Sequence, residues 1–181
     1  MTISIEIQAL DPRTWVCYAE AIMQIEVESY EPIRRDSRTF LAEIVARPRS
    51  VCLVALANEQ VMGFCFGAAL ESFPQVGGTQ SDPSWGKENT VYAADLTVNP
   101  AFRAQGVATK LKSAQLHYAR ELGYVDLAGR NRVGLAQHMW HINQRLGAYQ
   151  VQYLKNEYDD DLEPKDCIYY HIDLRSLESS N

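Results

Sequence analysis

The sequence predicts an α+β fold in which a mixed, mainly antiparallel sheet is flanked by helices in the order βααβββαβαββ. Three observations lead to this prediction. Short apolar or alternating runs typical of strands are interleaved with segments of helical periodicity. The turn at Asn58-Glu59 joins strand-like runs at 51–57 and 61–70 and indicates an antiparallel hairpin. A length of 181 residues, 46% of them hydrophobic and 22% charged, fits one globular domain with a substantial core.

The first elements of the chain are a strand and two helices. Apolar and polar residues alternate over residues 3–7, which predicts the first strand. Pro12 opens a helix that carries an apolar face and ends before Pro32. Asp36 or Ser37 caps a second, shorter helix. The hairpin described above follows that helix.

The second half of the chain is predicted from the same periodicities. Its elements are, in chain order, a strand at 90–98, a helix at 106–122, a strand at 124–129, a helix at 135–146, and strands at 148–154 and 167–174. The segment 72–89 has three glycines, two prolines and no periodicity, and a loop of this length is expected to be functional or mobile. An acidic loop spans 157–166. We expect a single domain over residues 1–175 and a frayed tail at 176–181.

Composition and charge exclude several classes of function. A net charge of −6 disfavours nucleic acid as a partner and suits a cationic small substrate. No apolar run is long enough to span a membrane, and the N-terminus lacks the basic and then apolar pattern of a signal peptide. The four cysteines lie far apart without a Cys-x-x-Cys motif, which indicates buried thiols in a reducing compartment. These features predict a cytoplasmic protein without a membrane partner.

The most informative motif joins the central strand to the helix after it. The strand ends at Asn99-Pro100, and the sequence Arg-Ala-Gln-Gly-Val-Ala follows at 103–108. The first backbone N–H groups of a helix have no intrahelical partner, and the helix dipole adds positive charge there. Gly106 lets a phosphate approach these amides, and Arg103 adds a cation. The motif therefore predicts a pyrophosphate site, although it lacks the glycines of a dinucleotide fingerprint and the Gly-Lys-Ser/Thr of a P-loop.

The pattern Arg103-x-x-Gly106-x-Ala108 after Leu96-x-Val98 closely resembles the acetyl-CoA signature of the GNAT superfamily of N-acetyltransferases. The resemblance is clearest over residues 90–149 and implies a sheet splayed between its fourth and fifth strands, where CoA enters. It implies acetyl-CoA as cosubstrate and no metal. The residues that it assigns to CoA are Leu96, Thr97, Val98, Arg103, Ala104, Gln105, Gly106, Val107, Ala108, Thr109 and Asn143.

The resemblance also implies where the acceptor amine binds. Asp95 directly precedes Leu-x-Val, where relatives that acetylate amines often carry an acid, and a carboxylate there could accept the ammonium proton. The alternative is a surface carboxylate or a local hydrogen-bond acceptor. Tyr92 is a weaker candidate on the same strand. Glu26, with Glu28 and Glu31, either lines a pocket for a cation or forms a solvated acidic face.

The chain departs from the family where many members have a tyrosine that protonates the CoA thiolate. Asn143 occupies that place, and an amide is no general acid, although it can donate a hydrogen bond to sulfur or pantetheine. Tyr149 or Tyr153 could supply the acid instead. Two further groups have simpler interpretations: His138 and His141 as an exposed polar face rather than metal ligands, and Cys65 as a buried thiol rather than a nucleophile.

Together these features predict an acetyl-CoA-dependent N-acetyltransferase that acts on a primary amine of a small molecule by direct attack in a ternary complex. Two other functions stay open: a CoA-binding sensor that has lost turnover, which the absent tyrosine favours, and a peptide or protein N-terminal acetyltransferase. The resemblance allows either a monomer or a homodimer.

Overall fold

The computed structural model describes residues 4–177, which contain seven strands and four α-helices. The strands are β1 (Glu6–Ala9), β2 (Leu53–Ala57), β3 (Gln60–Ala69), β4 (Thr90–Val98), β5 (Asp126–Arg132), β6 (Tyr149–Leu154) and β7 (Cys167–Asp173). The helices are α1 (Pro12–Ser29), α2 (Arg38–Val45), α3 (Val107–Glu121) and α4 (Gln137–Arg145). The predicted order βααβββαβαββ is confirmed.

The strands form one sheet in the order β1-β2-β3-β4-β5-β7-β6. The pairs β1–β2, β2–β3, β5–β7 and β6–β7 are antiparallel, and β4 pairs with β5 in parallel. The parallel register joins residues 90–93 to residues 126–129, so the last five residues of β4 lie outside this ladder. The α+β prediction of a mixed, mainly antiparallel sheet is confirmed.

The chain divides into two compact units. The first is formed by the residues up to Ala68 together with Ala94–Gln115, and the second by Ala69–Ala93 together with the residues from Leu116 onward. Strand β4 and helix α3 therefore contribute residues to both units. No helix between residues 4 and 177 combines the length and the apolar composition that crossing a bilayer requires.

The first unit is built on helix starts that the sequence encodes locally. Asp11 caps α1 in a capping box with Thr14, and Pro12 occupies the first turn as predicted. Ser37 rather than Asp36 caps α2, because the Ser37 hydroxyl accepts from the Phe40 N–H at 3.1 Å. The core of this unit comes from the inner helix faces and the hairpin strands, and includes Trp15, Ile22, Leu41, Ile44, Phe64 and Phe66.

A close approach of two backbones fixes β3 against β4 in the first unit. A Cβ atom placed on Gly63 would lie 2.7 Å from the carbonyl oxygen of Thr97 and 3.1 Å from the Cα of Val98. Backbone atoms cannot yield as a flexible side chain would. Gly63 is therefore required for β4 to reach its position.

Replacing Gly63 with alanine is expected to lower the free energy of unfolding by about 2 kcal/mol, because the added methyl group overpacks the β3–β4 contact. Urea denaturation measures the change. Gly123→Asn is the matched control: Gly123 has a positive φ of 88° and nothing within 4 Å of its Cβ position, and asparagine tolerates that backbone conformation. Equal stability of Gly63→Ala and the unaltered protein would contradict the close approach of Gly63 to the backbone of β4.

The second unit contains a polar network that the sequence does not reveal. Asp82 lies in the predicted loop 72–89, and its Oδ2 accepts from the Tyr169 hydroxyl and contacts His171 Nε2, each at 2.6 Å. Its Oδ1 accepts from the Ser84 N–H at 2.7 Å. The side chains of Asp82, Tyr169 and His171 are all buried. These bonds hold the segment against β7 in a defined conformation, although its sequence has no periodicity.

Strand β5 extends three residues beyond its prediction, from Gly129 to Arg132. The extension has the polar sequence Arg-Asn-Arg, which argues against a buried strand when the sequence is considered alone. In the structure Arg132 forms a buried bidentate pair with Asp160 of the acidic loop, with N–O distances of 2.6 and 2.7 Å. Its guanidinium also lies 4.4 Å from the ring centroid of Tyr158. Asp160, in the loop that was predicted only as acidic, thus balances the charge of Arg132 and allows this polar end of β5 to be buried.

The remaining boundaries differ from their predictions by one to three residues at an end, as is usual where helices and strands fray. Residue 3 of the predicted first strand lies outside the described residues. At the other terminus, Leu174–Ser176 form a 3-10 turn, and residues 178–181 of the predicted tail lie outside the described range.

Candidate active site

The turn before α3 presents unsatisfied amides to solvent. Ala104 and Gly106 have positive φ angles of 59° and 82°, and the Gly106 carbonyl accepts the first helical bond, from Lys110 N–H at 3.0 Å. Within residues 4–177, the backbone N–H groups of residues 104–109 donate to no acceptor. No atom of the described residues lies within 4 Å of the Cβ position of Gly106, so the front of the turn is open. This arrangement suits an anion such as a phosphate.

Arg103 is exposed but held beside this turn. Its Nε donates to the carbonyl oxygen of Val98 and its Nη2 donates to the hydroxyl of Ser29, both at 3.3 Å. Arg103 therefore links the end of β4 to the end of α1. The other residues of the predicted turn are exposed except Val107, which is buried, and Ala108, which is half-buried.

The end of β4 carries the predicted site residues from Asp95 to Val98. Leu96 and Val98 are half-buried, and Thr97 is buried. The Thr97 hydroxyl donates to Oδ1 of Asp95 at 3.0 Å. Asp95 is half-buried, and its Oδ2 is shielded from solvent.

Glu26 and Asp95 form an interacting pair of carboxyl groups in the first unit. Glu26 lies in the last turn of α1, is 1% exposed, and accepts from the Asp36 N–H at Oε2 at a distance of 2.9 Å. Burial and the negative charge of Glu26 both raise the pKa of Asp95, so the two carboxyl groups interact. Among residues 4–177, Glu26 Oε1 and Asp95 Oδ2 are both buried and accept from no N–H or O–H group. Two interacting carboxyl groups without other donors at these two oxygens favour one shared proton over two charges.

The electrostatics of the first unit support this assignment. Burial raises the pKa of Asp95 well above its ordinary value, and the neighbouring charges of Glu26 and Asp36 raise it further. Burial also raises the pKa of Glu26, although the hydrogen bond from the Asp36 N–H opposes this effect. These effects favour a pair that keeps one proton between its two carboxyl groups and carries one negative charge.

Two residues of this cluster were not found by sequence reasoning. The Tyr30 hydroxyl lies 2.7 Å from the Thr97 Oγ1, and the backbone N–H of Asp36 donates to Glu26. Arg35 holds the segment in place, because its guanidinium donates to the carbonyl oxygens of Tyr30 and Val27 at 2.8 and 3.1 Å. Residues 30–36 have no periodicity, so only a search for acids and phenols near Glu26 could have indicated them.

The other two predicted acids, Glu28 in the last turn of α1 and Glu31 just after the helix, are exposed. Glu28 accepts from Gln24 at 2.8 Å, and Glu31 pairs with Arg34 at 3.2 Å. Both contacts are local and solvated, which fits the acidic-face interpretation for these two residues. Of the three predicted acids, Glu26 is the one that the structure brings to Asp95.

Asp36→Asn is expected to stabilise the protein at neutral pH. Burial raises the pKa of Asp36 from 3.8 to about 6, so the folded state binds the proton more tightly than the unfolded chain. The resulting stabilisation is present below pH 4 and is lost as the pH rises through 6. Above pH 7 the variant should gain about 2 kcal/mol in the free energy of unfolding, and the gain should vanish near pH 4.

Urea denaturation at several pH values measures this difference, with the exposed Glu43→Gln on α2 as the control. A gain that is the same at every pH would show that ionisation of Asp36 is not its cause.

The second unit holds the remaining predicted site residues. Asn143 is 1% exposed, and its Nδ2 donates to Asn131 at 2.9 Å. Tyr149 is 53% exposed, with its ring centroid 6.2 Å from that of His171. Burial raises the pKa of the Tyr149 phenol. Tyr92 is buried against Phe73, with 5.0 Å between the ring centroids.

The other groups with chemical potential are placed as follows. His138 and His141 are exposed on α4, and among the described residues no three His, Cys, Asp or Glu side chains come together as metal ligands would. Cys65 is buried, and burial raises the pKa of its thiol. Lys112 of α3 is buried beside it and donates to Gln115 Oε1 at 3.0 Å; burial lowers the pKa of Lys112 to about 8. Cys17 is exposed.

Comparisons with known proteins agree with this geometry. A sequence model of the Acetyltransferase (GNAT) family matches residues 19–142. No curated protein sequence is significantly similar to the chain. Among solved structures, the ribosomal-protein-S18-alanine N-acetyltransferase of Escherichia coli superposes with a TM-score of 0.72 at 16% identity over 98% of both chains.

Two further structures contain CoA or a CoA conjugate. The yncA protein of Salmonella typhimurium, with its cofactor acetyl-CoA, has a TM-score of 0.68 at 14% identity over 98% of both chains. Arabidopsis thaliana Naa50, in complex with the bisubstrate analogue CoA-Ac-MVNAL, has a TM-score of 0.65 at 15% identity. That alignment covers 93% of this chain and 98% of the other. At these identities the structures establish a shared fold.

Proposed function

Because the chain belongs to the acetyltransferase (GNAT) family, we propose that it moves an acetyl group from acetyl-CoA to a primary amine of a small molecule. One observation carries the proposal. Within the first unit, the strand that bears Asp95, the partner of the buried Glu26, leads directly into a turn whose amides, 104–109, are free to bind a phosphate. An acid–base group and an anion site are thus supplied by one continuous segment.

The turn supports binding of the CoA diphosphate. Its amides and the positive end of the α3 dipole attract the phosphates, and Gly106 allows them to approach without meeting a side chain. Arg103 adds a charge that does not depend on pH. In this proposal the main chain of residues 96–98 pairs with the pantetheine arm, and one of its amides stabilises the oxyanion that forms on the acetyl carbonyl.

The carboxyl pair supports the acceptor side of the reaction. An amine arrives as an ammonium ion at neutral pH and must lose a proton before its nitrogen can attack the thioester. A pair with one negative charge attracts the ammonium, and its raised pKa makes it a stronger base than an ordinary carboxylate. We assign the base to Asp95, which is the more exposed member, and the binding of the cation to Asp95 and Glu26 together.

A second candidate function is acetylation of a peptide or protein N-terminus. The Escherichia coli and Arabidopsis thaliana structures favour it, since their names specify an alanine of ribosomal protein S18 and a CoA conjugate of the peptide MVNAL. Both reactions use the same cosubstrate and the same nucleophile. They differ in the size of the acceptor.

A single assay distinguishes these functions. The protein is mixed with acetyl-CoA and, in turn, polyamines, amino acids, aminoglycosides and short peptides with free N-termini, while free thiol is followed. Thiol release with a small amine, together with the acetylated amine in the mass spectrum, is the expected result. Release with peptides alone would establish the second candidate. Calorimetric binding of acetyl-CoA without turnover on any acceptor would indicate the CoA sensor, and no binding would exclude all three.

A further inference from the structure

We propose that Tyr30, Thr97 and Asp95 form a proton relay in which the Tyr30 hydroxyl protonates the departing CoA thiolate. The inference rests on the proposed function and supplies the acid that the sequence does not, since Asn143 occupies the usual tyrosine position. Its basis is a continuous chain of side-chain hydrogen bonds, Tyr30 to Thr97 at 2.7 Å and Thr97 to Asp95 at 3.0 Å, which ends beside the buried oxygens Asp95 Oδ2 and Glu26 Oε1.

The directions of these bonds are determined by the number of protons available. The Thr97 hydroxyl has one hydrogen, which it donates to Oδ1 of Asp95. The Tyr30 hydroxyl must therefore donate to Thr97 Oγ1. We place the proton shared by Asp95 and Glu26 on the far side of Asp95, between Oδ2 and Oε1, because these two buried oxygens accept from no donor among the described residues. In the resting arrangement the hydroxyl hydrogens of Tyr30 and Thr97 both point toward the carboxyl pair.

Proton uptake at the carboxyl pair reverses this arrangement. The ammonium first gives one proton through Asp95 to solvent, which restores the charged pair. As the neutral amine nitrogen then bonds to the acetyl carbon and the carbon–sulfur bond breaks, the nitrogen gives its second proton to Oδ1 of Asp95. The shared proton moves fully onto Glu26, so the pair becomes neutral. Thr97 then turns its hydrogen toward the Tyr30 oxygen, and Tyr30 turns its own toward the thiolate. Transfer along the chain gives CoA its thiol proton and restores Thr97, Asp95 and the shared proton.

The surroundings of Tyr30 suit an acid. Tyr30 is half-buried, and burial together with the charges of Asp95 and Glu26 raises the pKa of its phenol, so it holds its proton at neutral pH. The charged groups that face this chain are Glu26, Asp36, Asp95, Arg34 and Arg35. The Arg34 guanidinium lies 5.2 Å from the Tyr30 ring centroid, and Arg35 fixes the Tyr30 carbonyl. Thr97 belongs to the segment proposed to hold pantetheine, which places Tyr30 beside the thioester.

The relay is tested with the full-length protein, acetyl-CoA and the best small amine from the acceptor assay. The variants are Tyr30→Phe, Thr97→Val and the double variant, with Thr97→Ser as the conservative replacement. We expect each single change to lower kcat about 100-fold without changing the KM for acetyl-CoA, and the double variant to be no slower than either. Thr97→Ser should keep most of the activity. Tyr18→Phe, a change to a tyrosine of α1 outside the relay, is the matched control.

A second measurement distinguishes a relay from a structural role. In mixtures of H₂O and D₂O, the unaltered enzyme should show a curved dependence of kcat on deuterium fraction, because several protons move together. Tyr30→Phe should make it linear. A linear dependence in the unaltered enzyme, full activity of Tyr30→Phe, or multiplicative effects in the double variant would overturn the relay while leaving the acetyltransferase proposal intact. An unaltered enzyme without turnover on any amine would overturn both.

Discussion

Asp95→Asn is expected to lower kcat by about 100-fold or more while leaving the Kd for acetyl-CoA unchanged. The amide keeps the shape of the site: its oxygen can accept from Thr97, and its NH₂ can donate to Glu26 as the shared proton does in the unaltered protein. The fold and the turn before α3 should therefore be preserved. What the variant lacks is an atom that can take a proton from the amine.

The measurement is thiol release at saturating acetyl-CoA and amine, with calorimetry for cofactor binding. Glu43→Gln, which removes an exposed carboxylate from α2, is the control for the change in net charge and should retain full activity. An Asp95→Asn enzyme with an unchanged kcat would remove Asp95 from the mechanism. A large rise in the Kd for acetyl-CoA would instead indicate that the substitution disturbs the strand.

Gly106→Glu is expected to weaken acetyl-CoA binding about 100-fold, which corresponds to about 2.7 kcal/mol. Two effects add. The glutamate side chain occupies the open front of the turn, where nothing now lies within 4 Å of the Cβ position. Its carboxylate then competes with the diphosphate for the same amides and repels it.

Gly123→Glu is the matched control for this prediction. Gly123 follows the other end of α3, has a similar positive φ of 88° against 82° for Gly106, and is equally open. Both variants therefore carry the same backbone strain and the same added charge, and only Gly106→Glu should change the Kd in a calorimetric titration. Equal affinities for the two variants would mean that the turn does not bind the cofactor.

Sequence reasoning predicted the element order because each element is encoded locally. The capping box at Asp11 and Thr14, the serine before α2 and the glycine after α4 are signals within a few residues of the structure that they specify. The turn before α3 was predicted for the same reason, since a strand, an arginine, a glycine and a helix follow one another directly in the chain.

The missed features depend on contacts between distant residues. Tyr30 meets Thr97 across 67 positions, and Asp82 meets His171 across 89. The polar end of β5 becomes a strand because Arg132 finds Asp160, 28 residues away. Neither periodicity nor spacing records such pairs. The Asp95 candidate was found through a family resemblance, but its shared proton with Glu26 could be inferred only from the packing of α1 against β4.

The contact between Arg103 and Ser29 has a consequence for the order in which substrates bind. A guanidinium that turns to a diphosphate must give up the Ser29 hydroxyl, and Ser29 lies one residue before Tyr30 and three after Glu26. Binding of the CoA diphosphate would thus break the contact that Arg103 makes with Ser29, at the end of the helix that carries Glu26. Such coupling favours a compulsory sequence in which the acetyl donor enters first and the free coenzyme departs last.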